Sequence, residues 1–416
     1  MDEVLLREIS QEYLIPFFSG ARLEDKPEQS SPWDGTVAFR GPISIAFKVA
    51  KRDNYRLVLT RSQPFAQATG TTVPEISVVQ AFVDVIAPMA EALATPLKQD
   101  LLSTFARRIV AKAMSSADER ESTILSGIDK LARWSGRQYE GSPISASIGF
   151  RHRPQDVNAP TLDEISTHDF SAVLSNGHDT LLEFDFSGRF ISHNALPTGG
   201  NIPPYCPFRQ AAIAEWTAND EHRRRVALCL NRGGEILVFR DRQMLFSRRS
   251  GRWSFLTHEP VITQMGTPQD KSVRRAVYET CLDASFARTG ACIGVVSSNH
   301  MASLPRIVVN EDDRVHMGKS VKAKSVAKMV GTLKFQQLDR RLRQELVAID
   351  GATVLSHEGD LLAVGAILRI PGGSTSGGRL AAAKALSSLG LGIKVSQDGG
   401  ITGYRPAPNE PALQIM

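Results

Sequence analysis

The sequence predicts an α/β protein, with a C-terminal sandwich built on a mixed β-sheet flanked by helices and an N-terminal α+β region. Three observations predict it. Apolar residues recur at helical spacing in 272–288 and 334–348, and each run leads into a short strand-like stretch, 292–297 and 353–356. Four apolar segments between 225 and 256 are separated by Gly233-Gly234, Arg240-Asp241 and Ser250-Gly251, the pattern of an antiparallel meander. A glycine-rich stretch then opens an Ala- and Leu-rich helix near 377–389.

Taken in order, residues 1–19 read as an amphipathic helix that stops near Gly20, and 21–35 read as a polar loop. Two short strands follow at 43–50 and 55–61. The region 78–135 is helical by period, with breaks at Pro88 and Pro96. Residues 143–150 alternate as a strand, and the polar stretch from Pro154 to Pro160 reads as a first domain boundary. Strands are expected at 171–176, 179–186 and 189–193, with a turn at Ser187-Gly188. The four prolines of 195–207 mark a second connector, and 208–220 reads as a helix. The divisions are therefore 1–153, 154–207 and 208–410. Beyond the meander, the helix 272–288 stops at Gly290. Residues 299–330 form a polar, basic loop with some helix, and the helix 334–348 delivers Asp350. A strand pair turns at Glu358-Gly359, and strands at 393–396 and 401–404 close the chain. No strict internal repeat stands out.

Composition narrows the function classes. The chain has 416 residues, 42% hydrophobic and 22% charged, so it can bury an ordinary core. The net charge of +5 is spread thinly, which suits a protein handling anions and argues against a nucleic-acid binder. None of the four cysteines pair in CxxC spacing, and the nine histidines show no zinc pattern. The start of the chain lacks signal-peptide character, and no apolar run reaches the ~18 residues that span a bilayer. A cytoplasmic protein without a membrane segment is expected.

Two features carry chemistry. Asp350-Gly351-Ala352 sets a carboxylate beside a glycine where backbone can approach a ligand. Such a carboxylate can hold Mg²⁺ or Mn²⁺ on nucleotide phosphates, accept a proton from a ribose hydroxyl, or simply close a helix-to-strand turn. Gly377 and Gly378 open a helix whose free N–H groups favour an anion. Arg379 adds two donors, and Thr375 and Ser376 can cap the helix or bind a phosphate oxygen. The same stretch nearly spells a P-loop. However, Arg379 and Leu380 stand where Lys and Ser or Thr are required, and leucine cannot ligate a metal. Arg151-His152-Arg153 reads as a strand end running into the polar stretch. The arginines at 223–225, 248–249 and 252 read as solvated charge at strand ends.

The order from 272 to 405 (a helix, RTGACIGVVSS, a loop, a helix, AIDGATVLSHEGDLLAVGAIL, a Gly-rich turn, AAAKAL, IKVSQDGGITGY) resembles the diadenylate cyclase (DAC) domain. The resemblance extends to the meander from 225. It implies a nucleotide-binding sandwich in which two domains face each other, each holding ATP. The 3′-hydroxyl of each ATP attacks the other's α-phosphate, giving cyclic di-AMP and pyrophosphate. On this match Asp350 is the metal-binding, catalytic aspartate, and Gly351 and Ala352 lie beside the nucleotide. The family's second motif, Gly-Thr-Arg-His-Arg, aligns with 377–381, where Arg379 keeps the first Arg. Leu380 and Ala381 replace the His and second Arg. By analogy with oxyanion-hole deletions, each loss costs about 3–4 kcal/mol of transition-state stabilisation. The pattern is similar to motif-altered, sensor-type DAC branches (DACNV-like).

The expectation is a sensor of a purine nucleotide or cyclic dinucleotide, pairing with another copy of itself or with a signalling effector. Asp350, Gly351, Ala352, Thr375, Ser376, Gly377, Gly378 and Arg379 would form its pocket. A working diadenylate cyclase using Mg²⁺ or Mn²⁺ is one alternative. An interaction module without a ligand is the other.

Overall fold

A computed structural model describes the chain except residues 1, 33, 51–52, 63, 66–72, 95–97, 116–119, 154–155, 200–201, 219–223, 267–269, 371–376, 407–412 and 415–416. The fold is mixed α/β, with mixed sheets flanked by helices. The chain forms two compact units, Met1–Thr257 and His258–Met416.

The first unit begins with helix α1 (Glu3–Tyr13), capped by Asp2, whose carboxylate accepts the Leu5 N–H at 2.8 Å. Strands β1 (Val37–Gly41), β2 (Ser44–Phe47) and β3 (Tyr55–Thr60) pair antiparallel. The stretch 21–35, expected as loop, adds two-residue strands that pair with β3. Helix α2 (Glu75–Ile86) packs on this sheet, α3 (Phe105–Met114) packs on α2, and α4 (Glu121–Trp134) packs on α3 and on the sheet that follows. Edge-to-face contacts, Phe47–Phe82 and Phe82–Phe105, both at 5.8 Å between centroids, join β2, α2 and α3.

A seven-stranded sheet follows. It contains β4 (Ala146–Arg151), β5 (Thr180–Asp185) and β6 (Phe190–Ala195). After helix α5 (Ala211–Trp216) come β7 (Arg225–Leu230), β8 (Ile236–Arg240), β9 (Gln243–Arg249) and β10 (Arg252–Phe255). The order is β6-β5-β4-β7-β8-β9-β10, with β4 and β5 parallel and every other pair antiparallel. The meander forms as its turns predict. Neither 153/154 nor 207/208 divides the structure, because β4 lies between β5 and β7 and ties all three segments into one sheet. For the same reason the meander belongs to the first unit and not to the C-terminal sandwich. Residues 171–176 are not a strand. A 3₁₀ turn occupies Asp169–Val173, and the Ser171 hydroxyl donates to His168 O at 2.8 Å, a local bond that competes with strand pairing.

In the second unit, helix α6 (Lys271–Phe286) feeds strand β11 (Ala291–Val296). Short helical turns fill 298–313. Helix α7 (Val321–Val330) is N-capped by Ser320 and ends at Gly331, φ +56°. The predicted helix 334–348 is divided. A 3₁₀ turn spans Phe335–Gln337, and Asp339 then caps helix α8 (Arg340–Ala348), accepting the Arg341 N–H at 2.9 Å. Strands β12 (Ala352–Ser356) and β13 (Leu361–Ala366), helix α9 (Gly378–Ser387), and strands β14 (Gly390–Val395) and β15 (Ile401–Tyr404) complete it. The sheet order is β13-β12-β11-β14-β15, extended by a two-residue strand at Leu413–Gln414. Only β11 and β12 run parallel.

Helix α9 lies on this sheet at a glycine pair. Gly294 and Gly392 face each other across β11 and β14. A Cβ on Gly392 would sit 1.9 Å from Ala383 O, and one on Gly294 would sit 2.7 Å from the Leu386 side chain. Gly392→Ala should therefore lift α9 and destabilise the protein by about 1–3 kcal/mol, the usual range for overpacking. Thermal denaturation of the full chain checks this, and an unchanged midpoint would contradict the packing.

Candidate functional site

Helix α8 buries Leu346 and Val347 and ends at Ile349. Asp350 follows on the surface, its Oδ1 accepting the Gly351 N–H at 3.1 Å. Gly351 has φ +106°, and a Cβ there would lie 2.5 Å from the carbonyl carbon of Gly365 in β13. Gly365 has φ +57°, and its own Cβ would meet Ile349 Cγ2 at 2.7 Å and Asp350 O at 2.9 Å. The end of α8 and the return strand thus touch glycine to glycine, and Asp350 projects from that crossing. Ala352 is buried as the first residue of β12.

Gly377, φ +87°, precedes α9, and Arg379 lies in the first turn. Its guanidinium covers Gly290, where a Cβ would fall 2.6 Å from Nη1. Burial pushes the neighbouring Cys292 thiol up to about 12, against the opposing pull of the Arg379 charge. All four cysteines are buried and none forms a disulfide. Thr375 and Ser376 lie outside the described residues.

The topology brings these pieces to one end of the sheet. Parallel β11 and β12 pair Ile293 with Thr353, so Gly290 and Asp350 precede their strands at the same end. Strand β14 pairs Val395 with Ala291, so α9, which returns over the sheet into β14, starts at that end too. Asp350, Gly351, Gly377, Gly378 and Arg379 therefore share an edge, with Ala352 opening the strand behind them. Sequence reasoning missed three neighbours there. Lys322 of α7 pairs with the buried Asp313 and donates to Gly365 O at 3.4 Å. Arg288 donates to Gln397 O at 3.4 Å, joining the helix α6 exit to the β14–β15 turn. A charge in a polar segment such as 299–330 gives no signal for this, because its position depends on where the segment packs.

At the opposite end of β11 and β12 lies a cavity of about 560 Å³, lined by Ser297, Ser298, His357, Glu358 and Lys334 among others. Lys334 pairs with Glu358 at 2.8 Å. Among the described residues no group of three or more His, Cys, Asp or Glu side chains is arranged to hold a metal ion. No helix of the described residues is long and apolar enough to cross a membrane.

No family model matches the chain, and no curated protein matches it. Among solved structures, a cysteine double mutant of DacA from Staphylococcus aureus, a diadenylate cyclase, matches at 17% identity. The match covers 34% of this chain and 87% of that one, with a TM-score of 0.22.

Proposed function

We propose that the second unit binds a purine nucleotide or cyclic dinucleotide as a sensor, at the sheet end that carries Asp350 and Arg379. One observation supports this above the rest. Two motifs 27 residues apart in sequence, Asp350-Gly351 and Gly378-Arg379, converge on one edge of one sheet. The glycines leave backbone bare for close approach, α9 presents its free N–H groups, and Arg379 supplies positive charge for phosphates.

Sensing is favoured over turnover by what α9 lacks. Leu380 and Ala381 provide no donor where the family motif has a His and a second Arg. Asp350 offers a single carboxylate. Mg²⁺ or Mn²⁺ would fit there only with nucleotide phosphates completing its shell, and would then neutralise phosphate charge. The intact Asp350-Gly351-Ala352 favours a second reading, a working diadenylate cyclase.

Incubating the full chain with labelled ATP and Mn²⁺, with Asp350→Asn alongside, separates the two. The expected result is saturable ATP or cyclic di-AMP binding without product. Cyclic dinucleotide made by the wild type and not by the variant would replace the sensor with the cyclase. Absence of any binding would overturn both.

A further inference from the structure

The two larger sheets of this chain share one plan. In each, a long helix (α4 or α6) feeds a first strand, and a second strand pairs parallel to it after an excursion. A hairpin partner is added outside, a helix returns, and a further strand pairs antiparallel on the first strand's other side.

The correspondence holds residue by residue. Strand β4 reads Ala-Ser-Ile-Gly and β11 reads Ala-Cys-Ile-Gly. Ile148 pairs with Leu182 and Leu228, as Ile293 pairs with Thr353 and Ile393. A Cβ on Gly149 would strike Trp216 of α5 at 2.6 Å, as one on Gly294 strikes Leu386 of α9. The hairpins turn at Gly188 and Gly359, both at positive φ. The turn after β7 bonds Asn231 N–H to Glu235 O at 3.0 Å, and the turn after β14 bonds Ser396 N–H to Gly400 O at 2.8 Å. Residues 121–255 thus repeat the plan of 271–404, although the sequence shows no strict repeat. Side-chain identity has drifted, while strand order and the close-packing glycine have stayed.

This register gives the site residues counterparts. Asp179 stands three positions before Leu182, as Asp350 stands before Thr353. Arg209 stands seven before Trp216, as Arg379 stands before Leu386. We propose that the Asp179 end of the first unit's seven-stranded sheet is a second phosphate-binding site, formed by Arg209 and Arg232 beside His178. The proposal rests on the reading of the Asp350 site as a nucleotide site.

Independent geometry gathers these groups. Gln210, next to Arg209, donates its Nε2 to Gly177 O at 3.3 Å, and a Cβ on Gly177 would lie 2.8 Å from Leu230 O, two residues before Arg232. Burial holds the His178 pKa below its ordinary value and the charges of Arg209 and Arg232 push it the same way, while a hydrogen bond to the Arg209 backbone pulls it up. Both arginines are exposed, and among the described residues neither side chain has an ion-pair partner. Asp179 keeps its negative charge, with Oδ1 accepting from Asn176 Nδ2 at 2.6 Å, and the two arginines outweigh it at this end. The copies also differ. Thr180 occupies the place of Gly351, and His193 and Asn194 run opposite Leu182 and Leu181 where β13 bulges at Gly365; the Thr180 and Asn194 side chains bond to Asn176 N and Glu183. This copy therefore has no bare glycine crossing to seat a nucleoside, and phosphate contacts are what remain.

Titration calorimetry of the full chain with ATP at low salt tests the proposal. Two ATP per chain are expected, falling to one in Arg209→Ala and, separately, to one in Arg379→Ala. Arg232→Glu should weaken only the site lost in Arg209→Ala. One ATP per chain, lost in Arg379→Ala and untouched by Arg209→Ala, overturns this proposal and leaves the Asp350 reading standing. One ATP lost only in Arg209→Ala keeps this site and removes the other. No saturable binding overturns both.

Discussion

Gly351→Ala is expected to abolish nucleotide binding at the Asp350 end while costing the fold about 2–4 kcal/mol. Two terms combine. A non-glycine residue at φ +106° carries about 1–3 kcal/mol of backbone strain. The new methyl would also lie 2.5 Å from the Gly365 carbonyl carbon and 2.9 Å from the Ala366 nitrogen. These are backbone atoms with no rotamer to turn aside, so the crossing must open and Asp350 must move with it. Asp350→Ala, at an exposed position, should lose binding with little change in stability. Thermal denaturation and ATP titration of the two variants side by side separate these effects. Wild-type binding in Gly351→Ala would show that the glycine crossing does not position the site.

Asp283→Ala should destabilise the protein by about 3–5 kcal/mol, the range for breaking a buried ion pair. Helix α6 is buried on nearly every side, with Tyr278, Cys281, Leu282 and Ala284 fully enclosed. Asp283 on this helix accepts from Arg340 Nε at 2.6 Å and Nη2 at 3.0 Å, and the two side chains are 0% and 4% exposed. Truncating the carboxylate removes the Arg340 guanidinium's opposite charge in a low dielectric. At about 2–4 °C per kcal/mol for a domain of this size, the midpoint should fall on the order of 10 °C. Replacing both partners, Asp283→Leu with Arg340→Met, should recover much of the loss, because neither charge of this pair is then left buried. A loss below about 1 kcal/mol in the single variant would show that the pair is dispensable.

Much of the local structure was legible in advance. The meander, helix α6, strand β12 and the turn at Glu358-Gly359 follow from apolar period and from glycines at positive φ, which are properties of neighbouring residues. Asp350 and Arg379 were legible as candidates because their motifs are contiguous. Residues 171–176 read as a strand, but a local bond from Ser171 to His168 O holds 169–173 in a 3₁₀ turn. The divisions at 153/154 and 207/208 failed at longer range, because they cut through a sheet.

The sequence by itself determined most of the helices and strands, and it marked Asp350 and Arg379 as candidates for a phosphate site. Only the tertiary structure decided that β4 pairs with both β5 and β7, assigning the meander to the first unit. It also decided that Asp350, Gly378 and Arg379 share one sheet end with Lys322, and that the same strand order occurs twice. The physical reason is common to all three. Period and turn chemistry act between residues a few positions apart, whereas strand partners are chosen across long loops by burial and register. Two copies of one plan can keep those choices, with a glycine under each helix, after their side chains have diverged.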